Sequence, residues 1–479
     1  MNQPYRQYVA VLRLTNTLTR TVETVVTLEA GRISMYSCGP TVYRYAHVGN
    51  MRTYALADLI RRVLIYHGLE VRSVMNITDV GHMTDELTDS GRDRMELAVE
   101  DEGLPAADIA RRYTEAFLTD CDRVGIGRFD EYPAASDHVP QMVDMTARLV
   151  ERGHAYERGG SVYFDVSTFP GYGALSGQSL EDMRAGHRVD VDPAKRNHQD
   201  FLLWKSAGPD RAVRFDSPWG PGFPGWHIEC SAMSIHLLGS RFDIHTGGID
   251  NVFPHHTDER AQSDAATGHE VVRMWVHGDH LLADGAKMAK SARNVVTVGE
   301  LLEDGFDPLA LRALFWSARY RRQVDFTRAA LEAAATGLRR LRERIAALGR
   351  PGPAPSTDAG VRDALTEGAA LAHHDRFMRA IDDDLDVPAA MAALHEMVGD
   401  DHVAPDARVM LAGSWDNVLG LRLVEDDAVS SRVIALIEER DRARLARDYA
   451  RADRIREELA AEGVDLMDTD GGTRWVRRG

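Results

Sequence analysis

Between residues 32 and 80 the hydrophobic period of the chain switches from two to 3.6 and back to two. Ile33, Met35 and Ser37 alternate along RISMYSCGPTVY, and the run breaks at Gly39-Pro40. Leu56, Leu59, Ile60, Val63 and Leu64 then repeat at helical spacing behind Asn50, a residue suited to cap a helix. His67-Gly68 ends that helix, and EVRSVMNITDV (70–80) reads as the next strand. Strand, loop, helix, strand is a βαβ unit. It calls for a parallel sheet with ligands at the C-terminal ends of the strands.

The remaining sequence is too long for a single core at 479 residues. Residues 84–125 look helical and charged, so 1–125 forms a first Rossmann-like half. Shorter strands and turns mark 126–220 as an insertion, and 221–275 returns to the sheet. A lysine-loop segment follows at 276–330, then a helical bundle at 331–430 and a small C-terminal domain at 431–479. VDLMDTDGGTRWVRRG reads as a terminal strand or hairpin, in which Trp475 among Arg474, Arg477 and Arg478 suits base stacking or equally forms a frayed basic tail. Hydrophobic content of 44% and charged content of 27% are those of a globular protein with no membrane span. Three cysteines far apart give no disulfide framework and suit the cytoplasm. A net charge of −17 argues against indiscriminate nucleic-acid binding but permits a local basic face.

One stretch, PGWHIEC (224–230) through FPHHTDE (253–259), gathers metal-ligand chemistry. If 255–264 is helical, His255 and Glu259 lie one turn apart on one face. Such a pair is more often an ordinary surface pair, and a lone cysteine is usually a small core hydrophobe. Here Cys230 lies just upstream in a Gly/Pro-rich turn, and thiolate, imidazole and carboxylate are three donors of a Zn2+ site. Cys38, in the turn after the first strand, is the candidate for the fourth. Two phosphate signals accompany them. Gly49 in HVGN permits close backbone approach before a helix N-terminus, with His47 as an added donor. In DGAKMAKS (284–291), Lys287 and Lys290 place two cations opposite a pyrophosphate leaving group. Taken alone, HVGN reads more readily as a satisfied structural histidine, and the lysine segment as an exposed basic loop.

CGPTVY, HVGN, PGWHIECSAM, GGIDNVFPHH and KMAKS follow one another in the order and approximate spacing of the class I cysteinyl-tRNA synthetases, and the chain resembles that family over nearly its whole length. The resemblance implies a class I Rossmann-like catalytic domain with an insertion, then a helical anticodon-binding bundle and a small C-terminal α/β piece. It implies zinc ligation by Cys38, Cys230, His255 and Glu259. ATP would be held by His47, Gly49, Asn50, Gly247, Gly248 and Asp250, with Lys287 and Lys290 on the pyrophosphate side. Gly39, Thr41, Thr78 and Trp226 would line the amino-acid pocket, joined by Asp250 at the adenylate. Departures are visible as well. Asn50 stands for the second histidine of HIGH, Ala289 for the first serine of KMSKS, and Thr246-Gly247-Gly248 for a triple glycine. They fit a diverged second copy as well as a housekeeping enzyme.

The implied reaction is ATP-dependent activation of L-cysteine and transfer to tRNA(Cys) by a monomer, with Mg2+ accompanying the nucleotide. Zn2+ would select the substrate thiolate over the serine hydroxyl. Two alternatives compete. A cysteine ligase acting on a small amine would resemble the catalytic half, but more than a hundred helical residues follow here. A non-catalytic tRNA-binding paralogue predicts decay of the ATP signatures, yet His47, Gly49, Lys287 and Lys290 are all present.

Overall fold

The computed structural model describes residues 9–81, 83–85, 90–178, 194–208, 211, 213–283, 285–288, 295–349, 352, 354–365, 368–424, 433, 436–437, 439–440, 442–444, 448–461, 463–469 and 472–477. They form two compact units. The first comprises Met1–Tyr45, Glu70–Phe117 and Phe129–Asp279; the second comprises Ala46–Leu69, Leu118–Arg128 and His280–Gly479.

The first unit is built on four parallel strands, β1 (Arg32–Ser37), β2 (Glu70–Met75), β3 (Phe242–Gly248) and β4 (Val272–Gly278), in the order β4-β3-β1-β2. Register brings the strand ends level: Ser37 pairs with Thr246 on one side and Met75 on the other. The chain from β1 to β2 runs through α1 (Val48–Tyr66), which belongs to the second unit. Three further helices, α2 (Val139–Glu151), α3 (Trp226–Leu238) and α4 (Thr257–Thr267), complete the core of the first. Met142, Leu149, Ile228, Met233, Ala261 and Ala265 join one buried cluster with Tyr36, Val74 and Trp275 of the sheet. A four-stranded antiparallel sheet, ordered Gly222–Pro224, Phe201–Ser206, Ser161–Phe164, Ala155–Arg158, supplies the strands and turns expected between the halves.

The stretch 84–125 is not helical throughout. It opens with a hairpin of Met83–Asp85 and Ser90–Asp93, followed by the helices Arg94–Glu102 and Ala106–Arg123. Asp93 sets the boundary, because its carboxylate accepts from the N–H groups of Met95 and Glu96 and so starts the helix there.

In the second unit α1 begins one turn earlier than its sequence signal. His47, not Asn50, is the cap: its Nδ1 accepts from the Asn50 N–H at 3.3 Å while Asn50 Oδ1 accepts from the His47 N–H at 3.2 Å. This is a capping box with an imidazole in place of the usual hydroxyl, a substitution that cap preferences do not anticipate. The helix ends at His67, and Gly68 takes φ +83°, where a side chain would be strained. Leu309–Phe315, Arg328–Ala346, Ala369–Asp382, Val387–Gly399 and Pro405–Leu419 are the main helices that follow. The end of the chain is the expected hairpin, Val464–Thr469 against Gly472–Arg477. Val433, Ile437, Ile455 and Leu459 pack beneath its first strand. The side chain of Trp475 lies outside the described residues, as do those of its arginine neighbours.

Candidate metal centre

The centre forms where the parallel strands end and α3 and α4 begin. Cys38 follows β1 directly, and Gly39 lets the chain turn there. A Cβ at position 39 would lie 1.8 Å from the Asn76 carbonyl oxygen, so only glycine fits. Cys230 stands on the first turns of α3, and Glu259 on the first turn of α4. His255 lies in the wide turn Val252–His256, where extended backbone at Phe253 re-aims the chain before α4. The i, i+4 relation of His255 and Glu259 holds, with Nε2 and Oε1 at 2.9 Å.

All four side chains are buried, and their donor atoms lie within 4.8 Å of one another. The two sulfurs are 4.0 Å apart, and Cys38 Sγ is 3.7 Å from Glu259 Oε1. Donors on one tetrahedral Zn2+ are separated by about 3.3–3.8 Å, so the set fits that ion with small adjustments. The chemistry fits as well: two soft thiolates, an imidazole and one hard carboxylate. His255 has the outer support expected of a ligand, its Nδ1 being 2.8 Å from His227 Nδ1. His227 in turn reaches Asp258 at 3.3 Å. The Trp226 ring covers His255 with centroids 4.2 Å apart.

Electrostatics separate the groups. Burial opposes ionisation of Glu259, but His245 and His255 outweigh it and hold the carboxylate at a pKa of about 2. Burial also opposes charge on His255, yet the Glu259 carboxylate beside it raises that imidazole well above its ordinary range. Of the thiol pair, Cys230 ionises first. The hydrogen bond from Cys38 is the main cause, assisted by His255, and brings it down to about 6. Burial, then the Cys230 thiolate, pushes Cys38 up.

Thr78 and Glu229 form the neighbouring wall. Thr78 Oγ1 donates to Glu229 Oε2 at 2.9 Å, and Thr41 pairs with Thr78 in a parallel bridge. Burial raises the Glu229 carboxyl well above the usual range, and its Oε1 has no hydrogen-bond partner among the described residues. Gly247 lies near the end of β3 against His256, the Gly248 N–H donates to Asn251 Oδ1, and Asp250 is exposed in the turn after it.

The two phosphate signatures meet in the second unit. A side chain at Gly49 would run into His47 and the Met288 sulfur. Val48 N–H donates to the Val296 carbonyl at 2.8 Å. Lys287 lies in the short strand Ala286–Lys287, while its side chain and all of Lys290 fall outside the described residues. Sequence reasoning passed over three histidines at this centre: His245 on β3, His256 beside the expected ligand, and His277 on β4. The available signal was a histidine near the C-terminal end of each of two buried strands, where ligands collect.

Residues 24–336 match the description "tRNA synthetases class I (C) catalytic domain". The methionyl-tRNA synthetase of Mycobacterium tuberculosis, solved with methionyl-adenylate, has the same fold at 17% identity and a TM-score of 0.53, covering 81% of this chain and 90% of that one. Fold and site together define a class I aminoacyl-tRNA synthetase. Residues 426–475 match "Cysteinyl-tRNA ligase anticodon binding domain". The cysteine--tRNA ligase of Treponema denticola is 38% identical over 97% of this chain and 99% of its own length. That of Thermus thermophilus is 42% identical over 93% and 95%. The chain belongs to the cysteinyl-tRNA synthetase family.

Proposed function

We propose that the protein joins L-cysteine to tRNA(Cys) in two steps, through cysteinyl-adenylate. The observation that carries this reading is the convergence of Cys38, Cys230, His255 and Glu259, four buried donors from separate segments. These residues would hold Zn2+, which when bound supplies a soft Lewis acid for a thiolate and gives a hydroxyl no comparable gain. Trp226, Thr41, Thr78 and Gly39 form the wall around the amino acid, and Asp250, Gly247 and Gly248 face the adenylate. His47, Gly49 and Asn50 position the ATP phosphates. Two α1 backbone donors are already engaged, Val48 by the Val296 carbonyl and Asn50 by His47, so phosphate contact here falls to the Gly49 backbone and the side chains of His47 and Asn50. Lys287 and Lys290 neutralise the pyrophosphate as it leaves, and Mg2+ accompanies ATP. The cysteine carboxylate attacks the α-phosphate in line, so catalysis is positioning and charge stabilisation.

The C-terminal match to an anticodon-binding domain supports tRNA as the acceptor over a small amine. Among the described residues no helix is long and apolar enough to cross a membrane. We further propose a cytoplasmic monomer with the domain boundaries given above. Cysteine-dependent ATP–pyrophosphate exchange, with tRNA charging on the same preparation, tests the reading. Exchange without charging would point to the small-amine ligase, and neither activity to a binding paralogue.

A further inference from the structure

We infer that Arg52 is a positioning residue for adenylate formation: its guanidinium fixes the lysine-bearing strands against the opening turns of α1. The inference rests on the reading of Lys287 and Lys290 as the cations on the pyrophosphate side, and adds what places them. Arg52 stands one turn after Val48 on α1, and it is buried. Its Nη1 donates to the His280 carbonyl. Its Nη2 donates to the Arg322 carbonyl and lies 3.5 Å from that of Arg319.

These carbonyls share one location. His280 directly precedes the strand Leu281–Ala283, and Arg322 lies just before the strand Val324–Phe326. The two strands pair in parallel, Leu281 with Val324 and Ala283 with Phe326. The Val324 N–H donates to the same His280 carbonyl at 3.3 Å. One guanidinium therefore grips both strands where they begin. The lysine hairpin is built on them: Ala286–Lys287 folds back antiparallel, with Lys287 opposite Leu282. Asp325 Oδ1 holds the turn by accepting from the Gly285 N–H at 2.9 Å.

A second attachment reaches α1 from the far side of the lysine segment. His47 bridges Thr297, and the Val48 N–H donates to the Val296 carbonyl at 2.8 Å. The chain from 280 to 297 is thus tied at both ends to the turns on which His47 and Gly49 stand. The two signatures lie side by side, since a Cβ at Gly49 would be 3.3 Å from the Met288 sulfur. The tie at 296–297 is made by backbone, so no side chain decides it. The grip at 280 and 322 needs a planar fork that reaches two strands at once, which a lysine ammonium, a single point, does not supply. Without the fork, Lys287 moves with its hairpin relative to Gly49, and a misplacement of about 1 Å can cost about 10²-fold in rate.

Single-turnover formation of cysteinyl-adenylate by the full-length protein tests this, beside transfer from preformed enzyme-bound adenylate to tRNA(Cys). Arg52→Lys should slow adenylate formation about 10- to 100-fold. The KM for cysteine and the transfer step should change by less than about 2-fold, because pyrophosphate has left before transfer. Arg52→Met, of similar reach and without donors, repeats the measurement should Arg52→Lys not fold. In a Lys287→Ala/Lys290→Ala background, Arg52→Lys should cost less than about 2-fold more, as expected of a residue that acts through those lysines. Equal losses in both steps, an unaltered rate in a folded variant, or the full loss in the lysine-free background overturns the inference. A lysine-free protein that forms adenylate at the wild-type rate overturns the reading of the lysines, and the inference with it.

Discussion

Each unit buries a cluster of charge, and the two clusters are built on opposite terms. In the second unit Asp58 of α1 and Arg312 pair at 2.7 Å with neither side chain exposed. Every guanidinium nitrogen of Arg312 donates: Nε to the Leu419 carbonyl, Nη1 to that of Gly125, Nη2 to Asp58. Asp58 also accepts from Arg62 Nε and from the Gly127 N–H. Burial opposes the Asp58 charge, but Arg62 and Arg312 outweigh it and lower its pKa; burial brings Arg312 down to about 10, still charged at neutral pH. The cluster is complete within the protein. In the first unit the centre gathers two thiols, several imidazoles and two glutamate carboxyls, and leaves His245 Nδ1 and Glu229 Oε1 without partners among the described residues. The charge cluster of Arg312 is closed upon itself as architecture, whereas the other gathers four donors that could hold an ion.

The largest expected effect breaks the first cluster alone. Removing the metal with a chelator, or Cys38→Ala, should lower cysteine-dependent pyrophosphate exchange by about 10³-fold or more, since several kcal/mol of ligation are lost. Unfolding followed through Trp316 and Trp415 in the second unit should not move. An unchanged exchange rate in the metal-free protein would leave the centre purely structural. Next in size is Lys290→Ala, expected to slow adenylate formation by about 10²–10³-fold with metal binding unaltered. Unimpaired exchange would remove that lysine from the mechanism.

Breaking the second cluster should instead cost stability. Asp58→Ala leaves Arg312 buried without its carboxylate, and about 3–5 kcal/mol should be lost from the second unit in denaturant titration. Replacing both partners, Asp58→Leu with Arg312→Met, should bring back most of that loss, because apolar side chains of similar size need no compensating charge. Cobalt binding should be the same in all three proteins. A double variant as unstable as Asp58→Ala would show that the carbonyl contacts of Arg312, not the ion pair, hold the unit together.

The difference also explains what was legible in the sequence. Cys38, Cys230, His255 and Glu259 stood out because their chemistry is rare and two of them share a helical period. The βαβ unit was legible in the alternation of Ile33 and Met35 and the helical spacing of Leu56 to Leu64. Asp58 was hidden within that same helix, since its partner Arg312 is distant in sequence and nothing local marks a carboxylate as buried. His47 was hidden differently. Cap preferences favour Asn50, and the box closed only because both side chains reach each other's backbone. His256 escaped notice because adjacent residues on a helix diverge in direction; the wide turn at Val252–His256 is what brings it to Cys38. The hairpin before Arg94 was missed where Ser90–Gly91 interrupts an otherwise helical charge pattern.

The smallest expected effect uses a matched pair of carboxylates, one in each unit. Burial is the main cause that raises both Asp264 and Asp120 to a pKa of about 6, against the hydrogen bond from Val271 N–H in one case and the charge of Arg123 in the other. Unlike Asp58, neither has enough partners to offset its desolvation. Their folded values exceed the unfolded value of about 3.9, so the folded protein holds the extra protons. Their contribution is therefore most favourable below about pH 4, declines as pH rises toward about 6, and is a constant penalty above that. Asp264→Asn keeps an acceptor for the Val271 N–H and removes the charge. It should stabilise the first unit by about 1–2 kcal/mol at pH 8, allowing for partial exposure, and the gain should vanish near pH 4. Asp120→Asn should behave likewise in the second unit, reduced by the loss of its 3.0 Å pair with Arg123. Denaturant midpoints at the two pH values decide it. A gain of the same size at pH 4 would mean that amide packing, rather than relief of a buried charge, is responsible.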